Sequence, residues 1–111
     1  MKFFKNIKSR SGYFIYGVSI DGVKVGACGL KNISANEGEY WGYIGDKKYW
    51  GYGHGKEIIN LCIQKAKDLG LKKINLKVAV SNERAIRLYR KYGFSETGIE
   101  DKCVVMRLDT L

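Results

Sequence analysis

Hydrophobic residues along this chain recur at two spacings. Over Lys73–Val80 they alternate: Ile74, Leu76, Val78 and Val80 fall on one side, Lys73, Asn75 and Lys77 on the other. Period two predicts a strand with one buried face. Over Lys56–Leu69, residues Ile58, Ile59, Cys62, Ile63, Ala66 and Leu69 share one face at helical spacing, opposite Lys65, Lys67 and Asp68. Gly70 follows where a helix favours a residue tolerant of positive φ. A second helix is predicted over Glu83–Tyr92. Ala85, Leu88, Tyr89 and Tyr92 form its stripe, Ser81 or Asn82 its cap and Gly93 its stop.

The remaining segments read as strands. Tyr13–Ile20 is rich in aromatic and β-branched residues, and Asp21-Gly22 is a two-residue hairpin turn leading into Val23–Leu30. In that returning strand Gly26 and Gly29 predict a bulge or a close backbone approach. A polar loop, Asn32–Gly38, leads to a third strand, Glu39–Gly45, so these three strands predict an antiparallel meander. A strand–helix–strand crossover makes Glu39–Gly45 parallel to Lys73–Val80. Phe94–Gly98 and Cys103–Leu108 predict a closing hairpin around Glu100-Asp101-Lys102. Residues 1–11 are basic and weakly patterned; Phe3, Phe4 and Ile7 suit one face of a short helix, or the segment is a tail.

The stretch Gly51-Tyr52-Gly53-His54-Gly55-Lys56 lies between the third strand and the first helix. Three glycines in five residues let a backbone approach a ligand closely. The helix opening behind them presents free N–H groups and the positive end of its dipole, the combination that binds phosphate. Lys56 opposes that dipole and makes sense beside an anion. The plainer reading is a glycine-rich turn that only lets strand and helix pack. Gly42 and Gly45 interrupt the preceding strand, which predicts that it splays from its neighbour and frees backbone groups for a ligand.

Composition narrows the class. A chain of 111 residues, 45% hydrophobic, makes one folded domain with a modest core. No apolar run approaches the ~20 residues a membrane-spanning helix needs. The N-terminus is too short and too charged for a signal peptide, so a cytoplasmic protein is expected. Cys28, Cys62 and Cys103 are odd in number and set among apolar residues, which reads as small buried hydrophobes rather than disulfides. A single histidine, His54, leaves neither zinc spacing nor a serine triad, and no metal is expected. The net charge of +9 is localised: 47–91 hold 12 Lys and Arg against 3 Asp and Glu, and the rest of the chain is neutral. Such a field suits a phosphorylated cofactor, or nucleic acid.

The order of elements, together with two motifs, resembles the GNAT superfamily of acyl-CoA N-acyltransferases over roughly Tyr13–Leu108. Trp50-Gly51-Tyr52-Gly53-His54-Gly55 is similar to the family's pyrophosphate loop, Gln/Arg-x-x-Gly-x-Gly/Ala, with Trp50 departing from Gln/Arg. The run from Asn82 through Ala85, Leu88 and Tyr89 to Gly93-Phe94 is similar to Asn-x-x-Ala-x-x-Leu-Tyr-x-x-x-Gly-Phe. The resemblance implies an α+β fold: a mostly antiparallel mixed sheet with one parallel strand pair and two main helices. It implies an acetyl-CoA-dependent N-acetyltransferase in which Tyr43, Ile44 and Gly45 hold the acetyl and pantetheine part. Gly51, Tyr52, Gly53, His54, Gly55 and Lys56 then hold the diphosphate, Asn82 contacts the pantetheine arm, and Tyr89 protonates the departing CoA thiolate. A phenol suits that last role, because its pKa near 10 is close to that of a thiol.

The chain departs from the family pattern in two places. Where protein N-terminal acetyltransferases of the ribosomal alanine type use a glutamate base, this chain has Lys77. Glu39 or Asp46, at the ends of the third strand, is the substitute, with Glu39 preferred. The resemblance also places a strand and two helices ahead of Tyr13, where only about a dozen residues stand. A helix remnant over 1–12, a partner subunit completing a homodimeric acceptor site, and a fragment are the alternatives. Expected partners are acetyl-CoA and an amine, a small amine or amino sugar ahead of a protein amine. A non-catalytic CoA-binding module ranks second, a nucleic-acid-binding protein third.

Overall fold

The computed structural model, which describes residues 2–10, 12–45 and 54–110, builds a single seven-stranded sheet. Strands β1 (Lys2–Arg10), β2 (Tyr13–Ile20), β3 (Val23–Lys31) and β4 (Glu37–Ile44) are followed by helix α1 (His54–Asp68). Then come β5 (Lys73–Ala79), α2 (Glu83–Lys91), β6 (Ser95–Glu100) and β7 (Cys103–Asp109). The spatial order is β1-β2-β3-β4-β5-β7-β6. Every neighbouring pair is antiparallel except β4 and β5, the parallel pair expected from the crossover.

Local chemistry accounts for the turns. Asp21 and Gly22 both sit at positive φ (49° and 83°), and the β6–β7 turn repeats the geometry at Asp101 and Lys102 (48° and 63°). Two consecutive left-handed residues twist a hairpin in the sense its strands require. Gly70 (φ 76°) and Gly93 (φ 100°) end the two helices, as their positions predict. The bulge expected in the second hairpin falls beside Gly26, where the β2–β3 register shifts between Val18 and Ser19.

One expectation is corrected. The segment 1–12, read as a short helix or a tail, contains strand β1, which pairs with β2 from Lys2↔Ile20 to Arg10↔Tyr13. An isolated helix of about ten residues is marginal in water. The outer edge of β2 instead offers a row of backbone donors and acceptors to the segment that immediately precedes it. The outer edge of β2 is therefore occupied, and the sheet ends on β1.

The core lies between the sheet and the helices. Phe14, Val18, Cys28, Leu30, Tyr40, Ile74, Leu76 and Met106 from the strands pack with Ile58, Ile59, Cys62, Ile63 and Ala66 of α1 and Ile86 of α2. Burying each Leu- or Ile-sized side chain contributes about 1.5–3 kcal/mol. The two helices also meet each other. A Cβ added to Gly55 would reach 3.4 Å from Leu88, and the Tyr92 hydroxyl donates to the Lys56 carbonyl at 3.5 Å. Cys28 and Cys62 are buried free thiols, and Cys103 is half-buried and also free.

Candidate functional site

The parallel contact between β4 and β5 is short. It runs from Glu37↔Lys73 to Glu39↔Asn75 and stops. Beyond that point β4 stays with β3 as far as Ile44, while β5 stays with β7 as far as Ala79. The two strands part, as the glycine-interrupted sequence predicted. The Gly45 N–H donates to the Val25 carbonyl at 2.7 Å. Alternation along an antiparallel strand then turns the backbone groups of Tyr43 towards β3 and those of Tyr40, Gly42 and Ile44 towards the opening.

The opening leads into a cavity of about 260 Å³ lined by Lys31, Glu39, Tyr40, Trp41, Gly42, Leu76, Lys77 and Tyr89. Glu39 and Tyr89, the two candidate catalytic residues, thus share one cavity, and Lys77 lines it too. Tyr89 reaches it because α2, started by Asn82 and stopped at Gly93, sets the ring against Tyr40 (centroids 6.1 Å apart, nearly edge-on) and Phe94 (5.9 Å). Burial pushes the Tyr89 hydroxyl pKa above the usual phenol value. Glu39 Oε2 lies 3.3 Å from Lys31 Nζ, and Lys77 Nζ lies 3.6 Å from Glu100 Oε1.

The candidate cofactor residues divide. Ile44 presents its backbone to the opening. Gly45 does not present its N–H, which Val25 already takes, and Tyr43 has its backbone turned to β3 and a side chain 58% exposed. Register, which sequence alone does not fix, turns the even-numbered positions of β4 to the opening. His54, Gly55 and Lys56 form the first turn of α1, where helix N–H groups are free of intrahelical partners. Gly51, Tyr52 and Gly53 lie outside the described residues, as do Asp46 and Trp50. Asn82 is the cap of α2: its Oδ1 accepts from the Ala85 N–H at 3.2 Å. Asn82→Ala is expected to cost about 1 kcal/mol of stability by removing that cap, read as a lowered midpoint in urea with unchanged slope.

Sequence reasoning did not single out Tyr40, Lys31 or Trp41, which also line the cavity. A signal for Tyr40 was present. It alternates with Gly38 and Gly42 on one side of its strand, so its ring has no bulky same-strand neighbours.

Comparison with known proteins agrees with this geometry. The model of the acetyltransferase (GNAT) family matches residues 2–94. Over 74 residues, 67% of the chain, it is 28% identical to an uncharacterised protein of Methanocaldococcus jannaschii, and the match spans 15% of that protein's length. The N-acetyltransferase PseH of Campylobacter jejuni superposes with a TM-score of 0.76 at 22% identity, over 90% of this chain and 70% of that one. The spermidine N-acetyltransferase of Vibrio cholerae, solved with CoA and spermine, gives 0.79 at 24% identity, over 90% and 67%. The N-acetyltransferase PaiA of Thermoplasma acidophilum, solved with coenzyme A, gives 0.79 at 21%, over 88% and 61%. Among the described residues no helix is long and apolar enough to cross a membrane. A family match over most of the chain, on a sheet that parts beside a buried tyrosine, places this protein in the GNAT acetyltransferase family.

Proposed function

We propose that this protein transfers an acetyl group from acetyl-CoA to a primary amine by direct attack. The observation that carries the reading is the cavity where β4 leaves β5, with Tyr89 and Glu39 both in its lining. The backbone groups of β4 that face the opening suit the amide-bearing arm of CoA. The first turn of α1, with Gly51, Tyr52 and Gly53 before it, suits the diphosphate. The amine nitrogen attacks the thioester carbon, a C–N bond forms, and the C–S bond breaks with its electron pair leaving on sulfur. Tyr89 gives its hydroxyl proton to that thiolate. The proton lost by the amine passes to Glu39, directly or through water. Lys31 steadies the Glu39 carboxylate at the cavity wall.

The acceptor we favour is a small amine or amino sugar. The cavity is small, and one protein of the same fold is a spermidine N-acetyltransferase. The test is incubation with acetyl-CoA and a panel of amines, reading released thiol. The proposal fails if no amine releases thiol above the hydrolysis background.

The pH profile follows from the direction of the Tyr89 shift. Its pKa lies above the usual value, so the proton donor is intact up to at least about pH 10. An amine acceptor becomes nucleophilic only as it deprotonates. The expected profile of kcat/KM therefore rises between about pH 7 and 9 and shows no falling limb below about pH 10. A fall near neutrality would remove Tyr89 as the acid.

A second reading, CoA binding without turnover, is favoured by one observation. Only Ser11 and Gly12 join β1 to β2, where the family resemblance places two helices that wall the acceptor site. It predicts CoA affinity in calorimetry with no thiol release. A homodimer that supplies the wall predicts turnover that falls with dilution, alongside a dimer-to-monomer shift in sedimentation.

A further inference from the structure

Tyr40 is the anomaly of the core. Its side chain is 96% buried by accessible area, being 4% exposed, yet no described residue forms a hydrogen bond with its hydroxyl. A buried hydroxyl without a partner loses its hydrogen bonds to water and gains none in return, so such groups are uncommon in folded proteins. Its neighbours are the Tyr89 ring, Ile58 and the buried thiols of Cys28 and Cys62, and none of them forms a hydrogen bond with it. The hydroxyl lies over Gly42, close enough that a Cβ there would collide with it. Gly42 and Tyr40 both line the cavity, and both have backbone groups turned to the opening between β4 and β5. The sequence thus keeps a bulky polar group in the core and leaves room for it with a glycine, at a point that borders the cavity and where no described residue satisfies it.

We propose that the Tyr40 hydroxyl donates a hydrogen bond to an acceptor oxygen on the pantetheine arm of bound CoA. Tyr40 is then a binding residue of the thioester carrier, on the wall facing Tyr89. This assignment rests on the acetyl-CoA reading of the site given above. Burial, with a smaller contribution from Tyr89, raises the Tyr40 pKa. The group therefore remains a donor over the whole working pH range. Tyr89 meets the same arm at its sulfur end, and the two phenols divide between them holding the arm and protonating the leaving group.

Tyr40→Phe separates this role from a structural one because the two predict opposite signs. Removing an unsatisfied buried hydroxyl while keeping the ring leaves the ligand-free protein as stable as wild type, or more so. Removing a ligand contact weakens CoA binding. The experiment is thermal unfolding of wild type and Tyr40→Phe, each without and with millimolar CoA, together with calorimetric titration by CoA. The expected result is an unchanged or raised midpoint without CoA, a smaller CoA-induced rise, and CoA affinity reduced about 5- to 15-fold, the size of one hydrogen bond of roughly 1–1.5 kcal/mol. Equal CoA affinity in the two proteins would overturn the assignment. A lowered ligand-free midpoint would overturn it as well, since the hydroxyl would then have a partner inside the protein. No CoA binding by wild type would instead take down the acetyl-CoA reading, and this assignment with it.

Discussion

Tyr89→Phe is expected to lower kcat by about 10²- to 10³-fold while leaving CoA affinity within a factor of about two. The substitution keeps the ring, so the packing against Tyr40 and Phe94 survives and the cavity keeps its wall. What is lost is a proton donor in the one step that needs it, departure of the thiolate. An interaction made only in the transition state shows in kcat and kcat/KM together, whereas a ground-state contact shows in KM. The measurement is steady-state thiol release at several acetyl-CoA concentrations, with CoA titration on the same preparations. Unchanged kcat would show that solvent protonates the thiolate and that Tyr89 is a core aromatic. A matched loss of CoA affinity would make it a binding residue instead. The contrast with Tyr40→Phe is part of the expectation, because that variant acts on binding while Tyr89→Phe acts on turnover.

Most of the fold could be read from the chain because local and long-range signals agree in it. Alternation in Lys73–Val80, the helical face of Ile58, Ile59, Cys62, Ile63 and Ala66, and the Asp21-Gly22 turn each specify one conformation whatever surrounds them. The crossover rule then fixes the single parallel pair, and glycines at 42 and 45 anticipate the parting of β4 from β5. The segment 1–12 was not legible for a physical reason. Strand β1 is basic and weakly alternating, and it is a strand because β2 offers it an edge, a tertiary fact with no period in sequence. The candidate side chains of the cavity were partly legible: Tyr89 and Glu39 were named from the chain and line the same cavity. The orientation of the backbone beside it was less legible. Which of Tyr43, Ile44 and Gly45 faces the opening depends on the β3–β4 register, and a one-residue slip would exchange them. Tyr40 escaped notice because an aromatic residue in a strand is ordinarily core, and only its burial without a partner sets it apart.

The second large effect concerns the sheet behind the site. Gly29 lies opposite Ile15 on β2 and opposite Trp41 on β4, in the middle of β3. A Cβ added there would run into the Phe14 carbonyl oxygen and stand 3.2 Å from the Ile15 Cα. Both obstacles are backbone, so no rotamer change relieves the clash, and β2 itself must move. Moving β2 displaces Phe14, which is 2% exposed and packs edge-on to Tyr16 at 5.2 Å with Lys65 of α1 over its ring. Gly29→Ala is therefore expected to destabilise the protein by about 2–4 kcal/mol, a large part of the ~5–15 kcal/mol that holds a domain folded. Gly98→Ala is the control. It sits in edge strand β6 with nothing within 4 Å of an added Cβ, and it is expected to change stability by no more than about 0.5 kcal/mol. Urea unfolding of the two variants beside wild type measures both. Equal midpoints would mean that β2 and β3 do not approach as described at Gly29. A selective loss in Gly29→Ala is also expected to cost acetyl transfer even where the protein remains folded. Strand β3 holds β4 in the position from which it parts from β5, so the part of the clash taken up by β3 shifts Lys31 and, through the β3–β4 pairing, Glu39 on β4.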